Sequence, residues 1–125
     1  MSITRRATLL AVLTTWAATT HAQSFPSKPV RVVVPFPPGG PVDQTLRLLA
    51  PKMSATLGQP VVIDNKGGAS GVLGADVVAK SVADGHTLLF SAAGALAIVP
   101  NLAPSMPYNP QRDLLAVSQA VKVPT

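Results

Sequence analysis

The sequence predicts an α/β domain in which a parallel sheet is flanked by helices. Three short apolar segments, rich in β-branched residues, lie at residues 30–35, 61–63 and 87–90. Each is followed by a loop of small residues, and the first two loops lead into stretches with apolar residues at helical spacing. Strands that alternate with helices in this β-α-β-α-β order pair in parallel through right-handed crossovers, so the helices cover the faces of the sheet.

The chain begins with a segment that has the pattern of an export signal. Arg5 and Arg6 make a basic start, residues 7–18 are apolar and uncharged, and residues 20–22 (Thr-His-Ala) place small residues at the two positions that a signal peptidase reads. The apolar run is too short to span a bilayer. Residues 1–22 therefore predict a signal peptide that is cleaved after Ala22.

Cleavage at this point would give a mature chain that starts at Gln23 in the periplasm. The arginine pair also leaves the twin-Arg export route open, but Thr8 stands where that signal usually has an aromatic residue, which favours ordinary secretion. The alternative interpretation is that residues 1–22 form a buried helix of the folded protein.

The first strand–helix unit is clearly patterned. Residues 30–35 (VRVVVP) are nearly all apolar and β-branched, as in a strand that is buried on both faces. A rigid proline–glycine turn follows, and Pro41 suits the first helical position because its missing N–H costs nothing there. Apolar residues then recur at helical spacing as far as Leu57, and Gly58 is a natural stop. We expect Pro51 to kink or divide this helix.

The rest of the chain repeats this plan and then becomes irregular. A second strand, a Gly-rich loop, a small amphipathic helix, a turn and a third strand follow in order. A proline-rich stretch predicts irregular surface chain, and an apolar segment near the C-terminus is a candidate fourth strand. The second strand is residues 61–63, the Gly-rich loop 65–71, the helix 72–82, the turn 83–85, the third strand 87–90, the proline-rich stretch 100–110 and the candidate fourth strand 114–121.

Composition excludes several classes of function. The mature part has eight Lys and Arg residues against five Asp, a net charge of +3, and its basic residues are scattered singly. A nucleic-acid surface would need clustered basic residues with interleaved aromatics, so we expect no nucleic-acid partner. The chain has no Cys, which excludes disulfides and thiolate metal sites.

Few residues are available for catalysis. The mature chain has no Glu and a single His, His86, in a segment typical of a turn, and no metal-ligand spacing occurs. Ser70 fails the G-x-S-x-G nucleophile motif at its last position, and no Gly-rich loop is followed by G-K-[ST] as in a P-loop. We therefore expect neither an enzyme nor a bound metal or cofactor.

Three loops form the candidate binding site. Ligands of a parallel sheet bind outside the carboxyl ends of its strands, where residues 36–41, 66–71 and 91–94 lie. Small residues let a ligand approach the backbone, and the N–H groups at the following helix N-termini point toward an anion. This predicts a site for a carboxylate or a phosphate. The alternative is that the glycines serve only tight turns and close helix–strand packing.

Four blocks of the mature chain together resemble one family. Their order and spacing are those of the solute receptors of tripartite tricarboxylate transporters, also called Bug proteins, and they cover essentially all of the mature chain. The blocks are residues 28–43 (KPVRVVVPFPPGGPVD), 57–71 (LGQPVVIDNKGGASG), 84–89 (DGHTLL) and 107–114 (PYNPQRDL).

The resemblance implies a two-lobed periplasmic binding protein that takes a small carboxylate and delivers it to a membrane permease. It also implies that loops of the first lobe grip the ligand, largely through backbone N–H groups and bridging waters. An acid in the first helical turn, such as Asp43, also has a purely structural explanation in the helix dipole. The implied ligand-binding residues are Phe36, Pro38, Gly39, Gly40, Asp43, Gly67, Gly68, Ala69, Ser70, Gly71, Ser91 and Gly94.

Two departures from the family bear on function. Gly67 stands where the family usually has a Pro that rigidifies the second loop. The mature chain is also too short for two lobes of ordinary size. We therefore expect residues 23–125 to form an incomplete first lobe of a truncated receptor, which binds its ligand weakly because no second lobe closes over it. The alternatives are a non-functional remnant and an independent small α/β anion-binding domain.

Overall fold

The computed structural model describes residues 24–102 and 105–122. The predicted signal peptide and its cleavage point lie outside the described residues. Strands and helices alternate along the described chain as far as β3, and two short helices follow. The elements are β1 (Val30–Val34), α1 (Pro41–Leu57), β2 (Val61–Asn65), a 3₁₀ turn (Ala69–Gly71), α2 (Val72–Ala79), β3 (Thr87–Leu89), a π-helical turn (Gly94–Ile98), α3 (Val99–Leu102) and α4 (Pro110–Asp113).

The three strands form one parallel sheet in the order β2-β1-β3. Val30 lies opposite Val61 in β2, and Arg31 lies opposite Thr87 in β3. The predicted parallel sheet with flanking helices is confirmed. Because the chain passes from β1 to β2 and then returns across β1 to β3, right-handed crossovers place α1 and α2 on opposite faces.

One face of the sheet packs against α1 and forms the main core. Val30, Val32 and Val34 alternate along β1 toward this face, and all three are buried together with Leu46 of α1. Full burial of a side chain of this size contributes about 1.5–3 kcal/mol. α2 covers the opposite face, where Val33 is completely buried. β1 is thus buried on both faces, as its uninterrupted apolar sequence predicts.

The first helix has the predicted ends. Pro41 occupies its first turn, and Gly58 caps its C-terminus in the left-handed region (φ 68°) with its N–H bonded to the Ser54 carbonyl at 3.0 Å. The prediction that Pro51 could divide the helix is wrong, because α1 continues through Pro51 as one element. Pro51 is exposed, so the carbonyl that loses its N–H partner there is close to water.

Three other expectations need correction. α2 ends at Ala79, three residues before the predicted end, and Val82 is exposed. The proline-rich stretch is not wholly irregular, since parts of α3 and α4 lie within it. Residues 114–121 form neither strand nor helix and pair with no strand of the described residues, and all of them except the half-buried Leu114 are exposed. A strand requires a neighbour to bond with, and a local apolar pattern does not provide one.

None of the helices in the described ranges combines the length and the apolarity that crossing a bilayer requires.

Candidate functional site

The loops that follow the three strands start side by side. The Lys66 N–H donates to the Val34 carbonyl at 2.8 Å, and the Phe90 N–H donates to the Val33 carbonyl at 2.9 Å. These bonds extend the pairing of β2 and β3 with β1 by one residue beyond the strands. The strand order reverses at β1, and the crevice at such a reversal is where open α/β sheets bind their ligands.

Close backbone packing holds the second loop against the other two. A Cβ atom added at Gly67 would lie 3.4 Å from the backbone nitrogen of Pro37 in the first loop. One added at Gly71 would lie 2.8 Å from Cβ of Ala95, just after the third loop, and 3.6 Å from Cβ of Pro35. The structure therefore brings the three loops together. Gly71 is required there because no side chain fits between its neighbours.

The second loop has a left-handed backbone over four consecutive residues. The φ angles are 136° at Gly68, 46° at Ala69, 56° at Ser70 and 93° at Gly71. Left-handed conformations cost non-glycine residues about 1–2 kcal/mol each, so Ala69 and Ser70 store strain at the candidate site. Sequence analysis did not predict this backbone, because Ala and Ser carry no preference for positive φ.

Asp43 lies beneath the first loop rather than at its surface. Its side chain is completely buried and both carboxylate oxygens are occupied. Oδ2 accepts from the Gly39 N–H and from Arg47 Nε, each at 2.8 Å, and Oδ1 accepts from Asn65 Nδ2 at 2.9 Å. The hydrogen bond from Arg47, followed by those from Gly39 and Asn65, holds the pKa of Asp43 far below its usual range. The carboxylate is therefore ionised, with its charge compensated inside the protein.

This arrangement limits which backbone groups of the first loop are left to bind a ligand. The Gly39 N–H is used by Asp43, and the Gly39 carbonyl accepts from Gln44 Nε2 at 2.7 Å. The N–H group of Val42, in the first turn of α1, has no acceptor among residues 24–102 and 105–122, and Val42 is only half-buried. Asp43 is completely buried, so its N–H is out of reach of a ligand. The Val42 N–H and the dipole of the 17-residue helix α1 are the part of the first turn that can attract an anion.

The remaining predicted residues differ in exposure. Pro38 and Gly39 are exposed, whereas Phe36 is half-buried and packs against the core beneath the first loop. Ser91 in the third loop is half-buried and donates to the adjacent Ala92 carbonyl at 3.3 Å. No atom would lie within 4 Å of a Cβ added at Gly94, so this residue borders open space.

The described residues offer backbone amides rather than catalytic groups. Within ranges 24–102 and 105–122, no three His, Cys, Asp or Glu side chains are grouped so that they could hold a metal ion. His86 is buried at the opposite end of β3, where its Nε2 accepts from the Ser27 N–H at 3.2 Å. A cleft of about 650 Å³ lies elsewhere, lined by residues from 96 to 101 and from 106 to 112, and none of the predicted site residues lines it.

The chain matches one protein family over most of its length. The sequence model described as "Tripartite tricarboxylate transporter family receptor" matches residues 45–125. BugT of Bordetella pertussis is 49% identical over 109 residues, which are 86% of this chain and 33% of BugT.

Solved structures show the same relationship in three dimensions. MatC from Rhodopseudomonas palustris with bound malate is 45% identical with a TM-score of 0.67, over 71% of this chain and 30% of MatC. Rpa4515 from R. palustris with adipate is 40% identical with a TM-score of 0.66, over 70% of this chain and 29% of Rpa4515. A structure described as a periplasmic transporter is 46% identical with a TM-score of 0.66, over 69% of this chain and 29% of that protein.

The matches agree on one class of protein. They are transport receptors and solute-binding proteins rather than enzymes, in agreement with the expectation from sequence. The chain spans about a third of the length of the curated relatives it matches. The family model covers well over half of the chain. Three of the four blocks that carry the resemblance lie in the described sheet and its loops, and the fourth, residues 107–114, contains α4. This chain belongs to the receptor family of tripartite tricarboxylate transporters.

Proposed function

We propose that this chain forms one wall of a binding site for a small carboxylate, within a periplasmic solute receptor. The observation that carries the proposal is the convergence of three small-residue loops at the end of the sheet where α1 begins and the Val42 N–H is unoccupied. Backbone N–H groups at a helix N-terminus suit a carboxylate, which they bind without a metal or a cofactor. The malate and adipate in the two R. palustris structures support a dicarboxylate as the ligand.

The proposal extends to the organisation of the receptor. Residues 1–22 are the export signal, and residues 23–125 correspond to part of the first lobe. The complete receptor closes a second lobe over the ligand and passes it to a membrane permease. Closure excludes water and strengthens the polar contacts that the first lobe makes. One lobe alone therefore binds the same ligand weakly.

An NMR titration of the ¹⁵N-labelled mature chain tests this proposal, because chemical shifts detect weak binding. We expect malate and adipate to cause saturable amide shifts confined to residues 36–43, 66–71 and 91–94. The dimethyl ester of malate, which lacks the charge, serves as the ligand control and should cause none. Shifts spread over the whole surface, or none at all, would contradict the proposal and favour a non-functional remnant. Micromolar or tighter affinity would contradict the claim that one lobe is incomplete.

A side chain placed in the site tests its location. Gly94 has an ordinary φ and open space around it, so Gly94→Leu fills the site without a local clash in the fold. We expect this variant to fold normally and to lose the carboxylate-dependent shifts. Ala55→Leu on the exposed side of α1 is the matched control and should bind like the wild type. Equal binding by both variants would place the ligand elsewhere.

A further inference from the structure

One side-chain amide links the first two candidate loops. Asn65 is the last residue of β2 and immediately precedes the second loop. Its Nδ2 donates to Asp43 Oδ1 at 2.9 Å and to the Phe36 carbonyl at 3.2 Å. Asn65, at the start of the second loop, therefore bonds both the backbone of the first loop and the helix α1 that follows the first loop.

Asp43 transmits this link to the tip of the first loop. Its second oxygen, Oδ2, accepts from the Gly39 N–H at 2.8 Å. Gly39 has a φ of 84°, which glycine adopts without strain, so this bond selects one conformation of the exposed loop. Bonds from Asn65 through Asp43 to Gly39 thus run continuously from the end of β2 to the exposed turn.

Arg47 makes this arrangement compatible with an anionic ligand. Its Nε lies 2.8 Å from Asp43 Oδ2 and its terminal nitrogen 3.4 Å from Asn65 Oδ1. A buried carboxylate without a cation beneath the α1 amides would repel a carboxylate ligand and would cost several kcal/mol to bury. With Arg47 in place, the buried charge is compensated and the amides keep their attraction for anions.

We propose that Asn65 and Asp43 are positioning residues, which couple the first two loops and hold the N-terminus of α1 in place for the ligand. Neither side chain contacts the ligand itself. This rests on the proposed carboxylate function. It assigns Asp43 a role different from the direct ligand contact that the family resemblance implies. It assigns Asn65 a role although the sequence analysis did not select it.

Hydrogen exchange in the ligand-free chain tests the coupling independently of binding. Asp43→Ala removes the acceptor of the Gly39 N–H, and Asn65→Ala removes the tie to Asp43. We expect the Gly39 amide to exchange at least tenfold faster in either variant. A urea titration of each variant gives its free energy of unfolding, and the increase at Gly39 should exceed what the lower global stability alone would cause. Asp76→Asn is the matched control, because Asp76 also pairs with a base four residues on, Lys80, at 2.7 Å, but on α2. It should leave Gly39 exchange unchanged.

A double-mutant cycle separates coupling from general loosening. If Asn65 acts through Asp43, Asn65→Ala should have little further effect on Gly39 exchange in the Asp43→Ala background. Additive effects would overturn the proposal. A loss of malate binding in Asn65→Ala with Gly39 exchange unchanged would also overturn it, because it would indicate direct ligand contact. Absence of malate binding in the wild type would overturn the proposed function, while the exchange cycle would still decide whether the loops are coupled.

Discussion

Gly74 in the first turn of α2 offers a sharp test of how the helix and the loops are packed. Its backbone is helical, so intrinsic propensity alone favours Ala over Gly by about 1 kcal/mol. Burial at this position opposes the substitution. In Gly74→Ala, the gain in helix propensity is therefore opposed by the cost of fitting a methyl group into the packed space around Gly74.

The packing cost is larger than the propensity gain. A Cβ at Gly74 would lie 2.7 Å from Pro35 Cβ, 2.8 Å from Pro35 Cα and 2.8 Å from the Lys66 carbonyl oxygen. Carbon atoms pack at about 3.5–4.0 Å, so the first two contacts are roughly 1 Å too short. Two of the three atoms belong to the backbone, so α2 must move away from β1. Overpacking costs about 1–3 kcal/mol, and with backbone on both sides we expect a net loss of about 2 kcal/mol.

Urea unfolding followed by far-UV circular dichroism measures this loss. For a domain of this size, it corresponds to a Tm lower by roughly 10 °C. Gly94→Ala is the control, since no atom lies within 4 Å of the added methyl group, and its stability should stay within about 0.5 kcal/mol of the wild type. A Gly74→Ala variant as stable as the wild type, or more so, would refute the packing of α2 on Pro35.

Three further predictions concern the second loop, an exposed ion pair and the leader. Ser70→Gly should raise the unfolding free energy by about 1 kcal/mol in the same urea assay, because it relieves a left-handed serine; an unchanged or lower value would argue against that backbone. The hydrogen bond from Lys28, together with that from the His86 N–H, lowers the pKa of Asp84 to about 2. The ionised Asp84 carboxylate therefore contributes its full stabilisation above about pH 4 and loses it as the pH falls toward about 2. NMR titration of the carboxyl group should show a higher midpoint in Lys28→Ala, and equal midpoints would exclude the pair. N-terminal sequencing of the periplasmic fraction should begin at Gln23, and recovery of the intact chain from the cytoplasm would count against the export signal.

The strands and the position of the loops could be predicted because their signals are local. Residues 30–35 are apolar without interruption, which requires burial on both faces, and the structure buries Val33 as well as its neighbours. Parallel pairing followed from the crossover rule once the helices were recognised. The predicted end of α2 lies too far toward the C-terminus, because Val82 continues the apolar pattern of the helix although it is exposed.

The details of the candidate site depend on tertiary contacts that no local pattern contains. Asp43 fits both a ligand contact and a first-turn acid, and only the bonds from Gly39 and Asn65 show that its carboxylate faces inward. Asn65 looks like an ordinary polar residue at a strand end. Residue preference does not predict the left-handed backbone at Ala69 and Ser70, which leads into Gly71, where the chain packs between Pro35 and Ala95.

The central position of β1 has a consequence for how this chain folds. β1 is the first strand in sequence, yet both of its partners come much later, with Val30 opposite Val61 and Arg31 opposite Thr87. A chain that emerges from its N-terminus must keep its most apolar strand unpaired until β2 has emerged, and must keep one edge of that strand unpaired until β3 has emerged. Pairings between distant segments slow folding, because the chain must lose the entropy of closing a loop before the new contacts can stabilise it. The order of the strands thus delays folding until most of the described chain is present, and it makes Val30–Val34 the segment with most need of protection in the meantime.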